Sequence, residues 1–269
     1  MRIGFFGAGN MVRSLAFGFH QKNPHLEMHF YTPSKTKARE LALQFNGILV
    51  EEIDLMPKDL DWYFLGFKPQ NIDDFQFNFL ENSKIVSLLA AIKIDKLNSK
   101  FVHTKFVRVM PNTPSRVQSA MNLIYFDQNK FSNSDQNQFS ELFKSCGEIE
   151  ILEEEKLIDL LTPYTGSLPG IIFEFSMYFE NSLKEKLKKI DPHGKIDTRK
   201  LIAQTFLGTS KLMFEDLNKS FKDLSTEVTS KKGVTYEALE TLRREDIEEK
   251  IDLSMTNALN RLNELSNNK

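Results

Sequence analysis

The chain has 269 residues, 41% of them hydrophobic, with a formal net charge of −2. That is material for one or two domains with a real core, and the near-neutral balance excludes a charge-driven nucleic-acid or anionic-membrane partner. A single cysteine, Cys146, excludes an internal disulfide and fits a reducing, cytoplasmic setting; beside Gly147 with no adjacent base, it reads as a structural thiol. No run approaches the ~18–20 apolar residues of a membrane helix. Residues 3–12 carry no apolar h-region, so no signal peptide is expected.

In chain order, Ile3 to Phe6 has strand character and enters a turn built on Gly7 and Gly9. A helical pattern follows over Met11–Gln21, with Leu15, Ala16 and Phe19 on one face, and Pro24 ends it. This arrangement suits a dinucleotide's pyrophosphate. Glycine lets the backbone approach the phosphates, and the free N–H groups of the next helix point at them. The third position of the Gly-x-Gly-x-x-Gly/Ala pattern is Val12, which is expected to hold the helix farther from the strand.

Leu26–Tyr31 alternates as a second strand, and Ser34–Phe45 reads as a second helix with Ala38, Leu41, Ala42 and Phe45 at helical spacing. This βαβα opening is the kind that builds a parallel sheet with right-handed crossovers. Further strands are expected at Gly47–Val50, Asp61–Phe67, Lys84–Leu89, Lys105–Met110, Asn122–Phe126 and Glu148–Leu152, with a helix at Asn133–Lys144 capped by Ser132 or Asn133. Phe75, Phe77 and Phe79 fall at i, i+2, i+4, which fits no single helical face. Beyond Glu153 the strand signals stop. Leu157–Leu161, Ile171–Leu187, Lys200–Phe214, Tyr236–Leu242 and Ile247–Leu265 read as helices, the tail from Ser266 as frayed. The chain is therefore α/β, with a boundary near residues 153–157.

Several loops carry chemistry. The second strand ends where a dinucleotide-binding unit places its ribose reader, and an Asp or Glu there would accept the 2′-hydroxyl of NAD. This chain offers Thr32, Pro33, Ser34, Lys35 and Lys37 instead, which suit a 2′-phosphate and favour NADP. Ser34 also reads as a helix cap and the lysines as solvated. Three later loops fall at strand ends: Phe67-Lys68-Pro69-Gln70, Leu89-Ala90-Ala91, and Arg108 to Pro114. Ala90 and Ala91 leave room for a flat nicotinamide ring, and Asn112 is placed to orient a carboxamide or ribose. The five histidines show no metal-ligand spacing, so no metal is expected.

The combination of Gly4 to Met11 (Gly-Phe-Phe-Gly-Ala-Gly-Asn-Met), Lys68-Pro69-Gln70 and Met110 to Pro114 (Met-Pro-Asn-Thr-Pro) resembles the pyrroline-5-carboxylate reductase family. Thr165 to Gly170 resembles that family's Gly-Ser-Gly-Pro-Ala helix start, and Val228 to Thr235 its Val-x-Ser-Pro-Gly-Gly-Thr-Thr substrate loop. The resemblance covers almost the whole chain. It implies a Rossmann-type, doubly wound, mainly parallel domain at residues 1–154 and an all-helical dimerisation and substrate domain at residues 155–269. It also implies hydride transfer from NADPH to the C=N bond of 1-pyrroline-5-carboxylate, giving L-proline, in a cytoplasmic homodimer or larger homo-oligomer. By position, Gly7, Ala8, Gly9, Asn10 and Met11 would hold the pyrophosphate, and Thr32, Ser34 and Lys35 the 2′-phosphate. Gly66, Lys68, Pro69, Ala90, Ala91 and Asn112 would line the ribose and nicotinamide. Ser230, Gly233, Val234 and Thr235 would bind the substrate carboxylate and ring nitrogen. Ser230 and Thr235 are the catalytic candidates, Thr235 as donor to that nitrogen, and Glu155 matches an acidic residue near the substrate.

The departures cluster on the substrate side. The family's Pro-Gly-Gly-Thr is Lys231-Lys232-Gly233-Val234, so any positive φ at the lost glycine becomes costly. Leu168 and Met177 replace a glycine and a glutamate. The Glu51-Glu52 pair stands where an asparagine is expected near the ribose. Two alternatives follow: a diverged paralogue that reduces another cyclic imino acid or small carboxylate, and a non-catalytic dinucleotide-binding sensor or partner. A β-hydroxyacid dehydrogenase would need a catalytic lysine within residues 171–183, which contain none.

Overall fold

Strand β1 (Arg2–Phe6) is apolar on both faces, which is the pattern of a strand covered on both sides. In the computed structural model, which describes residues 1–127 and 130–267, it lies inside an eight-stranded sheet of order β3-β2-β1-β4-β5-β6-β7-β8. The other strands are β2 (Glu27–Tyr31), β3 (Ile48–Leu49), β4 (Trp62–Leu65), β5 (Lys84–Ser87), β6 (Lys105–Met110), β7 (Ala120–Phe126) and β8 (Gly147–Ile151). All pairings are parallel except β6 with β7.

One face is covered by α1 (Asn10–Lys22), α2 (Lys35–Gln44) and α4 (Asn133–Lys144), which bury Val12, Leu15, Phe19, Leu41, Phe139 and Phe143. Ser132 caps α4 in a reciprocal box with Asp135. The other face is covered by α3 (Ile94–Lys100), a seven-residue helix not among those expected from the sequence, and by an extended run that brings Phe75, Phe77 and Phe79 together. The three phenylalanines pack on Phe6, Tyr63 and Phe101 at centroid distances of 5.0–6.0 Å for most pairs. Their i, i+2, i+4 spacing is strand-like alternation outside the sheet.

Beyond β8 the chain is helical, with one correction. Leu157–Leu161 and Ile171–Leu187, expected as separate helices, are parts of one run in which α5 (Glu155–Thr162) passes through a π turn at Pro163–Ser167 into α6 (Leu168–Leu187). Pro169 has no N–H to give, and the Thr165 carbonyl one turn back accepts instead from the Asn112 amide at 3.1 Å. Then come α7 (Thr198–Glu215), α8 (Phe221–Glu227), α9 (Val234–Arg244) and α10 (Ile247–Asn267). The short α8, capped by Ser220 and Asp223, was not anticipated. Nor was the order of Ser266, expected to fray: its hydroxyl donates to the Ala91 carbonyl at 3.2 Å, while residues 268–269 lie outside the described part.

The chain forms two units. Met1–Pro169 with the chain from Asn257 onward makes one, and Gly170–Thr256 the other. The first holds the core. In the second, only Thr198 and Met255 are buried, while Phe173 and Phe214 are 70% and 71% exposed.

Cys146 is fully buried against α1, where a Cβ on Gly18 would come within 2.5 Å of its sulfur. Burial pushes its thiol up to about 12. A thiol reagent at pH 8 is therefore expected to leave the native protein unlabelled and to label one site per chain in denaturant; labelling of the native state would contradict this packing.

Candidate cofactor and substrate sites

The parallel strands β1, β2, β4, β5 and β6 end along one edge of the sheet, so the loops after them open there together. Strand order reverses beside β1: the chain leaves it for β2 and β3, then returns on its other side as β4. Ligands of open α/β sheets bind in the crevice at such a switch point.

Gly7 turns the chain at φ +118°, a conformation L side chains rarely adopt, and a Cβ there would lie 2.5 Å from the Gly66 carbonyl carbon. Its N–H donates to the Tyr31 carbonyl at 2.7 Å, and that of Gly66 to the Phe6 carbonyl at 2.8 Å, which locks the ends of β1, β2 and β4 together. Gly9 is the N-cap of α1 and makes no side-chain cap bond; a Cβ there would meet nothing within 4 Å. The first-turn N–H groups of α1 at Asn10, Met11 and Val12 have no partner one turn back, and open space faces the cap. The cradle that a pyrophosphate needs is present.

Val12 does not hold the helix away. It is fully buried, and its Cγ2 occupies the place where a Cβ on Gly66 would stand. The small residue has moved from the helix to the strand end, and close packing is kept.

A cavity of about 520 Å³ opens beside the turn, lined by Gly7, Tyr31, Thr32, Ile53, Phe67 and Phe75 among others. Phe67 and Phe75 stack at 4.8 Å. Phe67 opens the Phe67-Lys68-Pro69-Gln70 loop expected at the cofactor, whereas Phe75 was visible in the sequence only through the phenylalanine alternation. A larger cavity of about 810 Å³ lies near Met1 and Leu26, beside the C-terminal ends of α1 and α4. Helix C-termini repel anions and no glycine turn is near, so the smaller cavity is the better dinucleotide site.

Thr32 lines that cavity, and Ser34 is the N-cap of α2 with its hydroxyl making no cap bond, so the capping role does not consume it. Lys35 Nζ sits 2.7 Å from Glu52 Oε1. Burial, then the nearby Glu52 carboxylate, push the Tyr31 phenol up. Lys68 and Pro69 start a short 3-10 turn (Pro69–Asn71) after β4. Ala90 is half-buried and Ala91 buried, the latter at φ +64°. Asn112 spends its amide on the protein, donating to the Thr165 carbonyl at 3.1 Å and accepting from Met121 N–H at 3.2 Å. Glu155 is likewise engaged: its Oε1 accepts from Arg108 Nη1 and from Ile94 N–H, both at 2.8 Å. These two side chains hold loops and helices in place.

Of the residues expected at the substrate, Glu155 lies in the first unit, while Ser230, Gly233, Val234 and Thr235 lie in the other, around the start of α9. Gly233 is its N-cap, with its N–H donating to the Ser230 carbonyl at 2.9 Å. Thr235 lies inside the first turn, exposed, and its hydroxyl makes no hydrogen bond among the described residues. Val234 is 91% exposed. Lys232 has φ +56°, the left-handed conformation that makes the loss of a glycine there costly, of order 1 kcal/mol or more. The first-turn N–H groups of α9 form a second place for an anion.

Comparison with known proteins agrees with this layout. Residues 155–265 match the family model for pyrroline-5-carboxylate reductase dimerisation, and residues 2–91 that for NADP oxidoreductase, coenzyme F420-dependent. Pyrroline-5-carboxylate reductase from Staphylococcus epidermidis is 28% identical over 275 residues, covering 99% of this chain and 98% of the relative; that from Staphylococcus aureus is 28% identical over 277 residues, with the same coverage. The fold is that of the 1-pyrroline-5-carboxylate reductase of Streptococcus pyogenes (TM-score 0.85, 20% identity, covering 97% and 98% of the two chains). It is also that of Plasmodium falciparum pyrroline carboxylate reductase, solved with NADP bound (TM-score 0.82, 19% identity, covering 99% and 98%). The chain thus aligns end to end with pyrroline-5-carboxylate reductases and carries a segment similar to their dimerisation domain.

Proposed function

We propose that this protein reduces the C=N bond of 1-pyrroline-5-carboxylate with NADPH, yields L-proline, and serves proline biosynthesis. The observation that carries the reading is the Gly7–Gly9 cradle at the switch point, in a chain that aligns over its full length with reductases of that name. Ala8, Gly9, Asn10 and Met11 hold the pyrophosphate through backbone N–H groups, and Gly7, whose own N–H is taken by the Tyr31 carbonyl, shapes the turn that brings them there. Thr32, Ser34 and Lys35 take the 2′-phosphate. Gly66, Lys68, Pro69, Ala90, Ala91 and the Asn112 loop shape the ribose and nicotinamide end. When bound, the dinucleotide supplies the hydride.

Ser230, Gly233, Val234 and Thr235 receive the substrate carboxylate at the start of α9, and the Thr235 hydroxyl donates toward the ring nitrogen. Protonated imines accept hydride readily, so these residues act mainly by orienting the ring and excluding water. Glu155 acts through its hold on Arg108 and Ile94. We assign residues 1–154 to the cofactor and 155–269 to dimerisation and substrate, in a cytoplasmic protein. Among the described residues, no helix is long and apolar enough to cross a membrane.

A second reading is favoured by one observation: Lys232 is held left-handed in the substrate loop beside Lys231, so the loop is re-tuned and the ring it accepts differs. NADPH oxidation with 1-pyrroline-5-carboxylate, run beside a cofactor-binding titration, separates the cases. Turnover with proline as product is expected. Turnover only on another cyclic imino acid supports the second reading, and binding without turnover contradicts both.

The assembly follows from the helical unit, whose apolar side chains are too exposed for a self-sufficient fold. A second copy covers them. The midpoint of thermal unfolding is therefore expected to rise by several degrees over a hundredfold increase in protein concentration; a concentration-independent midpoint with a monomeric mass would contradict it.

A further inference from the structure

The rim expected to read a 2′-phosphate is not a bare cationic patch. Lys35 Nζ lies 2.7 Å from Glu52 Oε1 and 3.7 Å from Glu51 Oε2, and Arg39 Nη2 lies 3.3 Å from Glu51 Oε1. Both acids follow β3 and precede Ile53, which lines the same cavity as Tyr31 and Thr32. Glu52 is also near enough to Tyr31 to act on its phenol. Two opposed readers of the ribose 2′ position therefore flank one rim. The hydroxyls and ammonium of Thr32, Ser34 and Lys35 suit a phosphate. The carboxylates suit a free 2′-hydroxyl, which donates to an acid at this place in dinucleotide sites; here the acid would come from the end of β3, since the end of β2 lacks one.

We infer that Glu52, supported by Glu51, sets coenzyme discrimination: it accepts a hydrogen bond from the free ribose hydroxyl of NADH and gives up Lys35 when the 2′-phosphate of NADPH arrives, so that the site takes both coenzymes and the advantage of NADPH is held down. The Lys35 and Glu52 side chains are 46% and 69% exposed. Exposed pairs of this kind are weak and water-screened, so a phosphate dianion can displace the carboxylate from Lys35. The carboxylates remain beside the bound phosphate and oppose it.

This rests on the cofactor reading of the Gly7 site. The test is titration of the full chain with NADPH and with NADH at fixed ionic strength, for the wild type, Glu52→Gln, Glu51→Gln and Lys35→Ala. Glu52→Gln is expected to tighten NADPH and weaken NADH, moving the ratio of the two Kd values about tenfold toward NADPH. Glu51→Gln moves it less in the same direction, and Lys35→Ala moves it the other way by weakening NADPH alone. If Glu52→Gln leaves the ratio unchanged, or weakens NADPH as loss of a strut under Lys35 would, the inference is overturned while the cofactor reading stands. If neither coenzyme binds the wild type, both fall.

Discussion

Arg108→Ala is expected to cost about 3–5 kcal/mol of unfolding free energy, the scale for breaking a buried ion pair from one side. Arg108 projects from β6 and is 1% exposed. Its Nη1 meets Glu155 Oε1 and its Nη2 meets Asp159 Oδ1, both at 2.8 Å and one turn apart on α5. The same Glu155 oxygen takes the N–H of Ile94 at the start of α3. One guanidinium thus fixes the first helix after the sheet to β6 and, through Glu155, to α3. Without it two half-buried carboxylates face each other with no cation. Urea unfolding at fixed protein concentration measures the loss. The triple variant Arg108→Met, Glu155→Gln, Asp159→Asn should recover most of it, because neutral groups of similar volume remove the stranded charge. A loss under 1 kcal/mol in the single variant would show that the cluster carries no weight.

Gly66→Ala is the second large effect. The added methyl would overlap Val12 Cγ2, a side chain with no room to retreat in a fully buried position. Overpacking of this kind costs about 1–3 kcal/mol. The cost here falls on the junction of β4 with α1, so the dissociation constant for NADPH should rise as well. Val12→Ala alone should be milder, and the double variant should recover at least half of both losses. A double-mutant cycle that gives simple additivity would contradict the exchange of small and large residues across this contact.

That exchange marks where the sequence was legible and where it was not. The turn at Gly7 and Gly9 follows from local pattern: an apolar strand, two glycines and a helix, each set by neighbouring residues. The consequence of Val12 does not, because its compensation lies at Gly66, and only the fold brings strand β4 against α1. Asn112 and Glu155 show the same limit. Their positions in the chain mark the right loops, but whether an amide or carboxylate faces a ligand or the protein depends on partners such as Thr165 and Arg108. The phenylalanines at 75, 77 and 79 were visible as an oddity, and strand periodicity outside the sheet explains them once the run is seen to lie on Phe6 and Tyr63. The π turn at Pro163–Ser167 is hidden in the sequence because a proline removes a backbone donor and commonly marks a helix end, while here the chain widens one turn and continues. Lys232 is the opposite case: the lost glycine foretold a strained position, and its φ of +56° is that strain.

In the proposed reaction, hydride passes from a dinucleotide held at Gly7 and Gly9 to the imine carbon of 1-pyrroline-5-carboxylate. The most direct measurement is reduction of that substrate by NADPH deuterated at the transferring position, with mass analysis of the product. L-Proline carrying one deuterium on the ring carbon of the former C=N bond is expected. Unlabelled proline, or intact NADPH binding with no proline formed, would contradict it.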